Sequence, residues 1–206
     1  MAVAATNLTT DGNNADQTSY ATASITPTAD TLVLAWFVSS IAAGTPNLPT
    51  ASGNGLTWVH VATRIHGTRR MTLFRAMGSS PSTGAITFDL ASQTADGAQW
   101  SVAEFSGINT GGTNGSGAIS HKAVNSSSGA TTLTATLSSF ADTDDATAGA
   151  FFHAANETTT LGSGFSEIGT VNQATHQCRL KASSKIPMIL GWVPLGQQAR
   201  PVSLLP

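Results

Sequence analysis

TLVLAWFVSSI, residues 31–41, is apolar at consecutive positions rather than at alternate ones. Side chains of a strand point alternately to its two sides, so such a run suits a central strand covered on both faces. Around it the period is two. AITFDL (85–90) sets Ile86, Phe88 and Leu90 against Thr87 and Asp89. TTLTATL (131–137) does the same with Leu133, Ala135 and Leu137. GLTWVHVATRI (55–65), RRMTLFRAM (69–77), QWSVAEF (99–105), TAGAFFHAA (147–155) and FSEIGTV (165–171) also read as strands. Clusters of Gly, Pro, Asn and Ser separate them, and no segment reads as a capped amphipathic helix. The pattern predicts an all-β protein, an antiparallel β-sandwich of jelly-roll type with about nine to eleven strands. Trp36, Phe88, Trp100, Val102 and Leu133 are its expected core residues.

Turn chemistry suggests an order. IHGTRRM reads as a tight hairpin turning at Gly67, and MGSSPSTGAITF as a longer one built on Pro81 and Gly84. The strands over 55–65, 69–77 and 85–90 are therefore expected to form a meander, with 99–105 nearby. The sandwich is expected over 18–175, preceded by an N-terminal arm, 1–17.

Only 10% of the 206 residues are charged, and the net charge is −2. An ordinary soluble domain is about a quarter charged. Here 30 threonines and 23 serines supply the polarity instead. That balance gives no attraction to nucleic acid or to an anionic membrane. It suits extracellular and virion proteins better than cytosolic enzymes. The single cysteine, Cys178, allows neither an intrachain disulfide nor a cysteine metal cluster. No basic-then-apolar leader opens the chain, and no run of about 18 apolar residues is present for membrane insertion.

Three motifs, GNGLTWVHVAT, RRMTLFRAMGSSPSTGAITFD and QWSVAEFSGINTGGTNGSGAI, occur in that order. Together they resemble a group of β-sandwich domains encoded by phages, recovered from environmental DNA and found in large bacterial surface proteins. The likeness runs over roughly residues 18–175. It implies a virion or cell-surface module that touches glycans, with other virion or surface subunits as partners. It supplies no catalytic motif to carry over.

Several residues stand out chemically. Glu104 follows Trp100 and Val102 inward, and Arg75 follows Met71 and Leu73 in the same way. A lone inward charge is costly, so the two are expected to meet as an Arg–carboxylate fork near a sheet edge; a ligand role for Glu104 is the alternative. Trp58, His60, Arg69 and Arg70 sit on the first hairpin and its base. Trp58 is either core or a stacking surface for a sugar ring, with His60 and the arginines donating to hydroxyls. FADTDDAT places Asp142, Asp144 and Asp145 in one loop, which is either a solvated turn or a weak Ca²⁺ site. No other cofactor is implied.

No constellation for catalysis is legible. Asp89, Glu104, Glu157 and Glu167 are the acids in or near strands, and nothing in the sequence pairs them as a glycosidase requires. Neither a nucleophile elbow nor a paired-histidine metal motif is present. The expectation is a non-enzymatic structural or adhesive module of a phage virion (capsid decoration, tail or fibre) or of a cell surface. A reading frame starting at Met1 favours a stand-alone virion part. The alternative is a carbohydrate-binding module of a secreted enzyme. Self-association as a homo-oligomer is compatible with either.

The composition shifts at His176. The 31 residues that follow from there hold the only cysteine, four of the nine basic residues, four of the eight prolines and no acid. Either a shifted reading frame near 176 or a tail that docks on a partner subunit accounts for this segment, 176–206. MILGWV is its one expected strand.

Overall fold

The computed structural model describes residues 3–140, 145–153, 158–173, 178–185 and 202–204. Thirteen antiparallel strands run through them, two more than the upper expectation, and five of them are only three or four residues long. In chain order they are β1 (Ala4–Asn13), β2 (Ser19–Ala21), β3 (Leu32–Ser40), β4 (Thr50–Gly53), β5 (Val59–His66), β6 (Arg69–Ala76) and β7 (Ile86–Asp89). Then follow β8 (Gly97–Ser106), β9 (Ile119–His121), β10 (Ala146–His153), β11 (Ser166–Gln173), β12 (Cys178–Lys185) and β13 (Val202–Leu204). A single 3-10 turn, Ser116–Ala118, is the helical content of the described residues. No helix there is long and apolar enough to cross a membrane.

The strands form three sheets: a central one in the order β1-β8-β3-β6-β5, an outer one β11-β12-β10-β13-β9, and a small cover sheet β2-β7-β4. Two apolar clusters lie on the two faces of the central sheet. Leu32, Leu34, Trp36 and Val38 of β3 join Ala146, Ala148, Leu180 and Ala182 of the outer sheet. Val33, Ala35 and Phe37 join Tyr20, Ile86 and Phe88 of the cover sheet. Hence all nine residues of β3 are buried, as its two-sided apolarity requires. Each large side chain so buried stabilises by about 1.5–3 kcal/mol. Phe37 and Phe88 stack at 4.3 Å across the cover-sheet interface. Tyr20 sits beside them, and burial pushes its phenol up to about 12 while its hydroxyl donates to the carbonyls of Ala15 and Ala95.

Trp36, Phe88, Trp100 and Val102 are buried as expected. Leu133 is only half-buried. TTLTATL keeps its alternating burial, with Ala135 and Leu137 inside, yet forms no ladder. Side-chain anchoring there replaces strand pairing.

Three boundaries move. Residues 4–13 are no arm: β1 pairs along β8 from Ala4 to Asn13 as the edge of the central sheet. A bulge between Asn7 and Thr9 breaks its period, which hides the strand in the sequence. The expected meander stops after one hairpin. β6 ends in the central sheet and β7 begins in the cover sheet, so 77–85 is a crossover and β8 inserts between β1 and β3. Finally, the sandwich does not end at 175. β12 lies between β10 and β11 and pairs with both, burying Leu180 and Ala182 fully. The composition shift at 176 therefore falls within the sandwich, ahead of β12. MILGWV falls outside the described residues.

Candidate functional site

The β5–β6 hairpin carries most of the expected ligand contacts. Gly67, at φ 57, opens its two-residue loop and lets His66 face Arg69. Farther along, the register slips between His60 and Ala62. The bulge lets both Val61 and Ala62 pack toward the outer sheet. Facing them the other way are the pairs His60–Phe74, Thr63–Thr72 and Ile65–Arg70. Trp58 packs on that same side, against the cluster under the cover sheet.

The structure thus brings Trp58, His60 and Arg70 to one face and turns Arg69 to the other. Ser39 faces Arg70 across β3–β6, whereas Ser40 faces Arg69, which fixes the separation. Trp58 is half-buried, and its Nε1 donates to the Gly53 carbonyl at 3.2 Å. It is both core and partly open. His60 is exposed, its ring edge-on to Phe74 at 6.3 Å. Arg70 is held in place: Nε donates to the Pro46 carbonyl at 2.8 Å and Nη1 to Thr63 Oγ1 at 3.2 Å. Thr63 in turn donates to the Met71 carbonyl at 3.0 Å.

Lys122 enters from 61 residues away and donates to the Val61 carbonyl at 3.0 Å. Arg64 Nε reaches Ser126 Oγ at 2.8 Å. The segment 122–126 therefore lies along the outer edge of β5 and blunts it against further strand addition. Sequence reasoning missed Thr63 and Lys122. Alternation would have found Thr63 had the bulge been foreseen, but no local signal ties Lys122 to the hairpin.

Charge at this strip is one-sided. Partial desolvation by the surrounding protein, first, holds the His60 imidazole below its usual range; the Ala62 backbone contact opposes this, and the Lys122 and Arg70 charges reinforce it. Burial also lowers the Arg70 guanidinium from its ordinary value. The shift favours the neutral imidazole, which can donate and accept at once.

The other expected sites resolve differently. Arg75 and Glu104 do not pair. Leu34 faces Arg75 and Val33 faces Glu104, so the two charges point to opposite sides of the central sheet. Arg75 Nε donates instead to the Asn114 carbonyl at 3.2 Å. Glu104 accepts from the Thr28 backbone N–H at 2.8 Å, Thr28 Oγ1 at 3.1 Å and Thr31 Oγ1 at 3.3 Å. It holds a turn. Asp142 and Asp144 lie outside the described residues, and Asp145 is buried just before β10. Among the described residues no three His, Cys, Asp or Glu side chains are grouped to hold a metal.

Of the other strand acids, Asp89 and Glu167 have structural partners, and Glu157 lies outside the described residues. Asp89 Oδ1 accepts from the Ala91 N–H, and Glu167 lies 2.8 Å from Lys181 Nζ and accepts from Thr170. A shallow depression lined by Asp16, Gln17, Thr18, Ser19 and Thr94 shares no side chain with the strip.

Fold and site together define a three-layer, all-β domain with an aromatic and cationic strip beside its cover sheet. Comparison of the chain with protein-family models, curated proteins and solved structures found no match. The likeness to phage and bacterial-surface domains therefore rests on the three sequence motifs.

Proposed function

We propose that this chain is a non-enzymatic structural and adhesive module of a phage particle or bacterial surface, contacting glycans through the β5–β6 strip. The observation that carries the reading is the common face of Trp58, His60 and Arg70. An aromatic ring beside hydrogen-bonding groups matches a sugar, which offers apolar C–H faces and a rim of hydroxyls. Arg70 is fixed before any ligand arrives, which lowers the ordering cost of binding. The hydroxyl-rich, weakly charged composition supports a role outside the crowded cytosol.

Binding of the purified chain to an immobilised glycan panel tests this, with Trp58→Ala alongside. The reading expects retention by at least one glycan, loss of retention in the variant, and no change in glycan length on prolonged incubation. Release of new reducing ends would make the protein an enzyme and overturn the reading. So would an absence of binding across the panel.

A further inference from the structure

No acidic residue lies between Asp30 and Asp89, yet the same span holds Arg64, Arg69, Arg70, Arg75, His60 and His66. Arg64, Arg70 and Arg75 direct their hydrogen bonds to neutral oxygens, namely Ser126 Oγ, Pro46 O with Thr63 Oγ1, and Asn114 O. No carboxylate offsets their charge at these contacts. Of the three, only Arg70 shares the face of Trp58 and His60.

A guanidinium presents five N–H donors in a rigid fork that matches a carboxylate or a sulfate. At Arg70, Nε and Nη1 are engaged by Pro46 and Thr63, which fixes the plane and leaves donors to offer. Lys122 adds its ammonium at the β5 edge, beside the Val61 carbonyl. The charged groups acting on His60 are Lys122 from beyond β9 and Arg70 from β6, both cationic. Like charges gathered at a half-buried strip repel, and an anion placed among them relieves that repulsion.

We propose that the strip selects acidic saccharides: the anionic group, a uronate carboxylate or a sulfate ester, sits between Arg70 and His60, and the sugar ring lies against Trp58. This rests on the glycan reading above and specifies its ligand class. A neutral sugar forgoes the charge-assisted hydrogen bonds that distinguish the site. A long nucleic acid is the weaker fit, because the chain carries a net charge of −2 and one aromatic ring serves the strip.

The test is calorimetric titration of the full chain with polygalacturonate, dextran sulfate, neutral dextran and a single-stranded DNA oligonucleotide. One or both acidic polysaccharides should bind, and which of them does so tells carboxylate from sulfate. Neutral dextran and DNA should bind at least about tenfold more weakly. Arg70→Gln and His60→Asp should each weaken binding about tenfold or more, while Arg64→Gln, on the opposite face, changes it less than about twofold. Should Arg70→Gln misfold, His60→Asp at an exposed position carries the test alone. In the complex the His60 imidazole should titrate higher than in the free chain by NMR. Trp58-dependent binding of neutral dextran as tight as that of the acidic polymers would overturn this inference and leave the adhesive reading standing. DNA binding of equal strength, or an equal loss in Arg64→Gln, would reduce the strip to diffuse attraction and also overturn it. Failure of every glycan, acidic and neutral, overturns both.

Discussion

Glu104 and Arg75 flank β3 on neighbouring strands and face opposite sides of the central sheet. Successive residues of β3 record it, Val33 opposite Glu104 and Leu34 opposite Arg75. The inward carboxylate of QWSVAEF is therefore answered by a turn. Thr28 and Thr31 close over it, with Asp30 between them at φ 55.

The two charges should act independently. Glu104→Gln replaces one acceptor oxygen with a donor and is expected to cost about 1–2 kcal/mol. Arg75→Gln should add to it, leaving a double-mutant coupling below about 0.5 kcal/mol. Urea unfolding of the two single variants and the double variant measures this. A coupling of several kcal/mol would mean that the charges meet.

Gly53 and Gly44 separate backbone strain from collision. A Cβ at Gly53, φ 124, would stand 2.2 Å from the Ala85 carbonyl oxygen, whereas one at Gly44, φ 90, meets nothing within 4 Å. Gly44→Ala should cost about 1–2 kcal/mol from strain alone. For Gly53→Ala the expected cost is larger, roughly 2–4 kcal/mol, because β4 must shift away from β7. Since Trp58 donates to the Gly53 carbonyl, its fluorescence should change in the second variant and stay unchanged in the first.

β12 should be indispensable. Ending the chain at residue 175 removes the strand that pairs both β10 and β11 and uncovers the outer-sheet core. Such a chain is expected to lose cooperative unfolding and to bind ANS. Leu180→Ala, in the intact chain, should cost about 2–5 kcal/mol by thermal or urea unfolding. A fully stable 1–175 fragment would restore the boundary expected from composition.

His60 sets a direction for pH dependence. Its folded-state value lies below the ordinary 6.5, so the unfolded chain takes up a proton first as pH falls. The contribution to stability is thus complete above about pH 6.5 and declines as pH drops from there toward the folded value. Melting temperatures between pH 5 and 8 should fall less steeply in His60→Gln than in the parent. Identical slopes would remove His60 from the account.

The two-sided apolarity of residues 31–41 and the period of two around it determined an all-β protein with a strand covered on both faces. The tight turn at Gly67 and the burial of Trp36, Phe88, Trp100 and Val102 were equally legible, because a local pattern specifies which side chains turn inward. It does not specify what they turn toward. β1 was hidden by its bulge, and TTLTATL showed the right period without a ladder partner. The shift in composition at His176 masked β12, whose alternation of Leu180 and Ala182 with charged residues is a sound strand pattern. Glu104 found Thr28 at a separation of 76 residues, and Lys122 found Val61 at 61. The tertiary structure alone decided these contacts. Register fixes them across several strands at once, and one residue of slip sends a side chain to the opposite face of the sheet.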